Sequence, residues 1–212
     1  MRSDYYIFDL DGTISDPKVG MARSINFSLQ SHELIKVDDG EIAKLIGLPL
    51  DEMYMQLCGI TELSLVTSLI ASYRERYRDT GYAENTLYPE IQTSLDYLYT
   101  QPGLQLGVCT SKPPDMAKKI LEMFGLDQIF DFISGGDVGI EKTHQLEQLL
   151  SDGIISRNSV MIGDRFVDIR AAQHNQLRSA AVLWGYGSRV ELEKERPSYF
   201  LQHPSQLMES IL

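Results

Sequence analysis

Residues 5–13 read Tyr-Tyr-Ile-Phe-Asp-Leu-Asp-Gly-Thr, a run of large apolar residues that ends in two acids and a glycine. A short apolar run bounded by turn-forming residues is typical of a central strand that is buried on both faces. Ligands of open α/β sheets bind beyond the carboxyl ends of the strands, near the point where the strand order reverses. The stretch therefore predicts a buried first strand that brings Asp9 and Asp11 to a ligand site.

Asp9 and Asp11 are two residues apart, so their side chains project to the same side of an extended backbone. Two neighbouring carboxylates repel each other and raise each other's pKa, whereas a divalent cation would neutralise both and keep one ionised. An Asp-rich turn after a strand is the simpler interpretation, because Asp and Gly are common turn residues. The choice between the two depends on whether partner residues occur later in the chain.

Length and composition limit the class of protein. The 212 residues suffice for one large core with a smaller inserted lobe, and 43% hydrophobic and 23% charged residues are typical of a globular chain. A net charge of −11 disfavours nucleic acid and anionic membranes as partners, because both require a basic face. Cys58 and Cys109 lack metal-ligand spacing, and no apolar run approaches membrane-spanning length. We therefore expect a cytoplasmic protein in a reducing compartment, whereas the sequence indicates nothing about the oligomeric state.

A long helical block follows the first strand. Four helical patterns occur in a row, and no convincing strand lies between Ser15 and Tyr82. Four helices are too many for an ordinary crossover between parallel strands. We therefore expect a helical cap at residues 16–84, inserted into an α/β core of residues 1–15 and 85–212.

Strands and helices alternate regularly after this block. Apolar strand patterns occur at residues 104–110, 130–134, 159–162 and 179–184, with a weaker one at 199–201, and helical patterns separate them. Repeated strand-helix units predict an α/β fold with a doubly wound parallel sheet.

Chemically active side chains follow the predicted strands. They are Asp9, Asp11 and Gly12 after the first strand, Thr110, Ser111 and Lys112 after the second, Lys142 just beyond the third, and Gly163, Asp164 and Asp168 after the fourth. Because the carboxyl ends of parallel strands share one edge of the sheet, we expect these groups to meet in one crevice. This set of groups suits phosphoryl transfer. It offers a carboxylate nucleophile, oxygen ligands for Mg²⁺, a hydroxyl and an ammonium for the phosphate oxygens, and a second acid.

The same residues resemble the motifs of a known family. The ordered set Asp-Leu-Asp-Gly-Thr at 9–13, Thr110, Lys142 and Gly-Asp-Arg-Phe-Val-Asp at 163–168 is similar to that of haloacid dehalogenase (HAD) superfamily phosphatases. Four separated motifs in the right order are far more specific than one short motif. The helical block resembles the small cap of the phosphoglycolate phosphatase-like branch, and the resemblance implies a HAD-like, Rossmann-like core. Local likenesses at residues 46–50, 84–88, 111–113 and 184–188 indicate the branch only.

The resemblance also implies a role for each matched acid. Asp9 would attack phosphorus and bind Mg²⁺. Asp11 would be the general acid and base, and its backbone carbonyl would bind the metal. Asp164 would ligate Mg²⁺ directly, and Asp168 would either support that ligation or bind the metal through water.

Three further residues would bind the phosphate according to the same resemblance. Thr110 and Lys142 would hold its oxygens through their side chains, and Ser111 would donate its backbone amide. The lysine would also shield Asp9. The loop at residues 136–141, before Lys142, is shorter than expected for this branch, which affects how the lysine is placed.

Several arginines are not assigned to the site. Arg165, inside the last motif, is expected to be a positional surface residue. Arg74, Arg76 and Arg78 alternate with acids on the last helix of the block, which predicts a solvated face.

The combined features predict a Mg²⁺-dependent phosphomonoesterase that forms an aspartyl-phosphate and acts on a small phosphorylated metabolite. Phosphoglycolate, a nucleotide monophosphate and a sugar phosphate all remain open as substrates. An acid at Asp11 separates this activity from dehalogenation, which needs no proton donor for a leaving alcohol. A sugar phosphomutase would share every core residue, and a catalytically silent regulatory protein is the alternative outside enzymes.

Overall fold

A computed structural model describes residues 4–136 and 140–209 of the chain. The predicted short loop before Lys142 includes residues 137–139, which lie outside the described residues, so its length stays a prediction. The strands are β1 (Tyr5–Phe8), β2 (Ser15–Asp16), β3 (Thr86–Leu87), β4 (Gln105–Thr110), β5 (Phe132–Gly135), β6 (Val160–Gly163), β7 (Arg178–Val182) and β8 (Tyr199–Leu201). The helices are α1 (Lys18–Ser31), α2 (Asp39–Ala43), α3 (Leu50–Cys58), α4 (Leu63–Asp79), α5 (Ile91–Tyr99), α6 (Pro114–Met123), α7 (Lys142–Ser151), α8 (Phe166–His174), α9 (Arg189–Lys194) and α10 (Gln206–Glu209).

Six strands form one parallel sheet in the order β5-β4-β1-β6-β7-β8. After β1 the chain adds β4 and β5 on one side and then returns to add β6, β7 and β8 on the other. The strand order thus reverses beside β1, which is where open α/β sheets bind ligands. Every residue of β1 is buried, because helices and loops cover both faces of this central strand. The predicted α/β fold with a doubly wound parallel sheet is confirmed.

The helices α1–α4, called the helical segment below, occupy the predicted position after β1. Helix α1 packs against α4 and α2, and α3 packs against α4. Apolar side chains of the segment, including Ile25 and Leu69, belong to the same hydrophobic cluster as Phe8 of β1. Among the described residues no single helix has the length and apolar character to cross a membrane, although α3 and α4, bent by 114° at their junction, meet that test as a pair. The division of the chain into core and cap stays a prediction.

Two short strands at the ends of the helical segment were not predicted. Strands β2 and β3 pair antiparallel, with Ser15 opposite Leu87 and Asp16 opposite Thr86. They were missed because two residues are too few to produce an alternating pattern. The pair joins the two places where the chain passes between the predicted core and the predicted cap.

Candidate active site

Asp9 lies at the carboxyl end of β1. Its backbone amide donates to Ile162 O at 2.9 Å, which continues the sheet by one residue and holds the side chain at the strand tip. The side chain is buried, and Oδ1 accepts from the Leu10 amide at 2.8 Å and lies 3.1 Å from Lys142 Nζ. Both contacts use the same carboxylate oxygen, Oδ1.

Lys142 begins α7 and bridges two acids. Its Nζ contacts Asp9 Oδ1 and also forms a very short ion pair with Asp168 Oδ1. Burial by itself lowers the pKa of this lysine, but the carboxylates of Asp168 and Asp9 raise the pKa above its ordinary value. The ammonium group therefore stays charged between the two acids.

Asp168 is held by the start of α8. Its Oδ2 accepts from the Arg165 backbone amide at 2.9 Å, so the carboxylate satisfies an amide that the first turn of the helix leaves unpaired. The strand residue Gly163 lies directly beneath it, and a Cβ built there would come within 2.2 Å of Asp168 Cγ. Only a glycine lets the strand pass so close to this acid.

Asp164 is enclosed by glycines and hydrogen bonds. The amide of Tyr186 donates to its Oδ2 at 2.7 Å, and Thr13 Oγ1 donates to its Oδ1 at 3.4 Å. Gly12 has φ +87°, and a Cβ there would lie 2.3 Å from Asp164 Oδ2; one at Gly185 would lie 2.4 Å from Asp164 Cβ. Burial, followed by the neighbouring carboxylates of Asp168 and Asp9, raises the pKa of Asp164 well above its ordinary value.

These acids fit a divalent cation. Carboxylate oxygens of Asp9, Asp164 and Asp168 all lie within 4.8 Å of one another, and all three residues are buried. With Asp11, four carboxyl groups meet two lysine ammonium groups, a formal excess of two negative charges when all four acids are ionised. Hard oxygen ligands of this kind suit Mg²⁺. All three acids are therefore candidate ligands, and Asp168 also pairs with Lys142 and accepts from the Arg165 amide.

Asp11 is paired with a lysine that sequence analysis did not assign. Lys112 Nζ lies 2.9 Å from Asp11 Oδ2 and donates to the hydroxyl of Tyr77, on α4, at 3.1 Å. The other oxygen, Asp11 Oδ1, is buried and has no hydrogen-bond partner among residues 4–136 and 140–209. Burial raises the pKa of Asp11, and Lys112 opposes that shift. A carboxyl whose pKa is raised is suited to carry a proton.

Thr110 and Ser111 lie beside these acids at the end of β4. Thr110 is buried, and its backbone carbonyl accepts from Gln145 Nε2 at 3.1 Å, which ties the strand end to α7. Both residues line one cavity of about 80 Å³ together with Asp9 and Asp11. The structure thus brings the predicted acids, hydroxyl groups and lysine to one edge of the sheet.

The helical segment forms the opposite wall of this cavity. Met21, Leu48, Leu50 and Tyr73 give the wall its apolar surface, and Arg74 also lines it.

The prediction that the arginines of α4 form a solvated face is wrong for two of them. Arg74 is half-buried at the cavity, and Arg76 is half-buried because it pairs with Glu84 at 3.0 Å. Arg78 is exposed and pairs with Asp115 at 3.2 Å.

Arg165 is not the surface residue that sequence analysis predicted. It is only 5% exposed, and its guanidinium crosses to the helical segment, where Nη1 donates to Ile46 O and to Lys44 O. Its Nε lies 3.1 Å from Glu191 Oε1. A Cβ at Gly47 would lie 2.7 Å from Arg165 Cγ, so the chain at this point approaches the arginine closely. The motif that carries the site acids therefore also contacts the helical segment.

Sequence reasoning left two contributors to the site without a role. Lys112 was expected at the strand edge but was given no function there, and the Trp-Gly-Tyr-Gly stretch at 184–187 was noted only as a branch marker. In the structure Tyr186 donates to Asp164, and Trp184 Nε1 donates to Thr13 O at 3.0 Å. The available signal was position, because both stretches follow a strand of the sheet at its carboxyl end.

Comparison with known proteins gives consistent matches over most of the chain. The family model described as haloacid dehalogenase-like hydrolase matches residues 6–182. A 5'-nucleotidase of Pseudomonas aeruginosa is 34% identical over 207 residues, which cover 94% of this chain and 91% of that protein. A phosphoglycolate phosphatase of Aquifex aeolicus is 31% identical over 95% of this chain and 93% of its own length. The crystal structure of a predicted phosphatase from Clostridium acetobutylicum superimposes with a TM-score of 0.91 at 31% identity and covers 99% of this chain and 98% of that one.

Proposed function

Since the chain belongs to the haloacid dehalogenase-like hydrolase family and is a phosphatase of the phosphoglycolate phosphatase-like type, we propose that it is a Mg²⁺-dependent phosphomonoesterase that works through an aspartyl-phosphate on Asp9. The observation that carries this proposal is the meeting of Asp9, Asp11, Lys142 and Asp164 at one strand edge. The proposed substrate is a small phosphorylated metabolite.

Asp9 is the proposed nucleophile. Leu10 and Lys142 hold its Oδ1, so we assign Oδ2 to attack phosphorus. The P–O bond to the leaving alcohol breaks as the bond to Asp9 forms. Lys142 would offset negative charge on the carboxylate and on the phosphoryl oxygens, while Thr110 and the Ser111 amide would bind those oxygens.

Asp11 is the proposed general acid and base. Its raised pKa favours the protonated form that must supply a proton to the leaving oxygen. Its Oδ1, which has no partner within residues 4–136 and 140–209, supports contact with that oxygen. After the alcohol leaves, the same carboxylate accepts a proton from the water that attacks the aspartyl-phosphate. Water attack returns Asp9 to its free form and releases inorganic phosphate.

Asp9 and Asp164 would hold the metal through side-chain oxygens, with the Asp11 backbone carbonyl as the further ligand that the family resemblance implies. Asp168 would act on the metal site through Lys142 and the start of α8. When bound, Mg²⁺ would neutralise the carboxylates and the phosphate oxygens, which otherwise repel each other.

Residues 16–84 are proposed to act as a cap that excludes water from the site and contacts the leaving group. The apolar wall of the cavity comes from α1, α4 and the chain around α3, which supports this assignment. The hinges would lie near Ser15 and Asn85, whose side chains are 3.4 Å apart.

Hydrolysis of p-nitrophenyl phosphate tests the proposal. We expect activity that EDTA abolishes and Mg²⁺ restores, and we expect Asp9→Asn to remove it. Asp131→Asn is the matched control, because Asp131 accepts from the Tyr5 hydroxyl at the opposite end of the sheet. This substitution should leave activity unchanged. Full activity of a metal-free sample, or of Asp9→Asn, would show that the mechanism is wrong.

A panel of phosphorylated metabolites would identify the substrate and test the alternatives. The panel should contain nucleoside 5'-monophosphates and phosphoglycolate, because these are the activities that the names of the relatives indicate. Sugar phosphates belong in it as well, since a phosphomutase would convert one into an isomer without releasing phosphate. A folded, Mg²⁺-loaded protein with no turnover on any member would favour a silent regulatory protein.

A further inference from the structure

Lys112 is a buried lysine that none of the proposed catalytic steps requires. It follows the phosphate-binding residues Thr110 and Ser111, and its side chain is only 7% exposed. Lysine side chains usually extend their ammonium group into water, because burying a charge is costly. A buried ion pair is weak evidence for a stabilising role, since desolvation offsets the attraction between the charges. The position of this lysine therefore calls for a functional reason.

The ion pair controls how Asp11 is presented to the cavity. Lys112 Nζ contacts Oδ2 of Asp11 at 2.9 Å, whereas the buried Oδ1 has no partner among the described residues. Asp11 and Lys112 both line the cavity that contains Asp9. Fixing one oxygen restricts rotation of the carboxyl group, so the other oxygen keeps one position for the leaving group.

Tyr77 holds Lys112 from the side of the helical segment. Its hydroxyl accepts from Lys112 Nζ at 3.1 Å and from Asn85 Nδ2 at 2.9 Å, and the ammonium lies 4.5 Å from the centre of its ring. The ring of Tyr77 stacks on that of Tyr73 at 5.3 Å, with 13° between the planes. The ammonium group is thus fixed by α4 on one side and by Asp11 on the other.

We propose that Lys112 is a positioning residue for the acid-base carboxyl of Asp11, and that Tyr77 sets the position of Lys112. This inference rests on the proposed function, in which Asp11 protonates the leaving alcohol. Loss of Lys112 would then slow hydrolysis most for substrates whose leaving group needs a proton. Esters of alkyl alcohols need that proton, whereas p-nitrophenolate leaves readily without it.

The test compares kcat/KM of Lys112→Met on p-nitrophenyl phosphate and on an alkyl phosphate. For each substrate, kcat/KM reports the step in which the leaving group departs. General acid catalysis contributes about 10²- to 10⁴-fold, so we expect a loss of about 10²-fold on the alkyl ester and less than about 5-fold on p-nitrophenyl phosphate. An equal loss on both substrates, or no loss on either, would overturn the inference.

Lys119→Met is the matched control. Lys119 Nζ lies 3.7 Å from the centre of the Tyr82 ring and donates to Arg78 O at 2.8 Å, so it makes a similar lysine-tyrosine contact outside the cavity. Its loss should change kcat/KM for neither substrate. A wild-type protein that hydrolyses neither ester would refute the proposed function itself, whereas a uniform effect of Lys112→Met in an active enzyme refutes only the role of Lys112.

Tyr77→Phe provides a second variant if Lys112→Met does not fold. It removes only the hydroxyl that accepts from Lys112. We expect kcat/KM again to fall more on the alkyl ester than on p-nitrophenyl phosphate, but by a smaller factor of about 10. Thermal unfolding in EDTA gives a readout without turnover. Lys112→Met should lower Tm by leaving Asp11 without its cation, and adding Asp11→Asn should restore part of the loss. No restoration would show that the two residues are not coupled.

Discussion

Gly12→Ala tests whether the close approach of Gly12 to Asp164 positions the proposed metal ligand. The added Cβ would lie 2.3 Å from Asp164 Oδ2, whereas ordinary contacts begin at 3.4 Å. Restoring an ordinary contact would therefore require the carboxylate to move by about 1 Å, in a site where the Gly185 backbone also lies close to Asp164. The substitution acts on the geometry of one ligand without changing any charge.

Two separate effects determine the expected magnitude. Gly12 has φ +87°, and a residue with a Cβ in that region costs about 1 kcal/mol of folding free energy, or about 2–4 °C in Tm for a chain of this size. A displacement of about 1 Å at a reacting centre can cost about 10²-fold in rate, and disturbed ligand support about 10- to 100-fold in metal affinity. We expect the variant to fold, to lose about 10²-fold in kcat/KM and to bind Mg²⁺ at least about 10-fold more weakly.

Gly153→Ala separates the two effects. Gly153 also has positive φ, +68°, but a Cβ there would meet no atom within 4 Å. It should show the same loss of about 2–4 °C in Tm with activity within about 2-fold of wild type. The assays are thermal unfolding, Mg²⁺ binding by calorimetry, and hydrolysis of p-nitrophenyl phosphate across a Mg²⁺ titration. Equal activity of Gly12→Ala and Gly153→Ala would refute the argument from close approach.

Two further predictions concern the buried charges of the site. Because burial and the carboxylates of Asp168 and Asp9 raise the pKa of Asp164 above the ordinary 3.8, the folded metal-free protein binds a proton that the unfolded chain releases. Its free energy of unfolding should therefore rise as the pH falls toward 3.8, and Asp164→Asn should reduce that rise in thermal scans in EDTA. Equal slopes for the two proteins would contradict the assignment. Arg165→Met removes the donor to Ile46 O and Lys44 O. We therefore expect the free energy of unfolding in urea to fall by about 1–3 kcal/mol and amide exchange at residues 44–50 to become faster. Unchanged exchange would show that Arg165 does not hold this stretch.

The sequence alone was enough to predict the fold and the strand edge at which the candidate site residues gather. An apolar run that ends in Asp9 and Asp11 predicts a buried strand with acids at its tip, and the regular strand-helix pattern from residue 88 predicts a parallel sheet. The positions of Thr110, Lys142 and Asp164 after later strands then imply a common edge. These inferences succeed because periodicity and strand ends are local properties of the chain.

Only the tertiary structure decided which charged group faces which. Lys112 pairs with Asp11, and Arg165 reaches the backbone of residues 44–46, although no local pattern relates these parts of the chain. The orientation of Asp164 depends on Gly12 and Gly185, which lie in loops far apart in sequence. Each of these contacts requires atoms to meet within about an ångström, and only the packing of all elements together determines positions to that accuracy. The sequence therefore determined which residues gather at the strand edge, and the folded structure decided how each one is oriented and neutralised there.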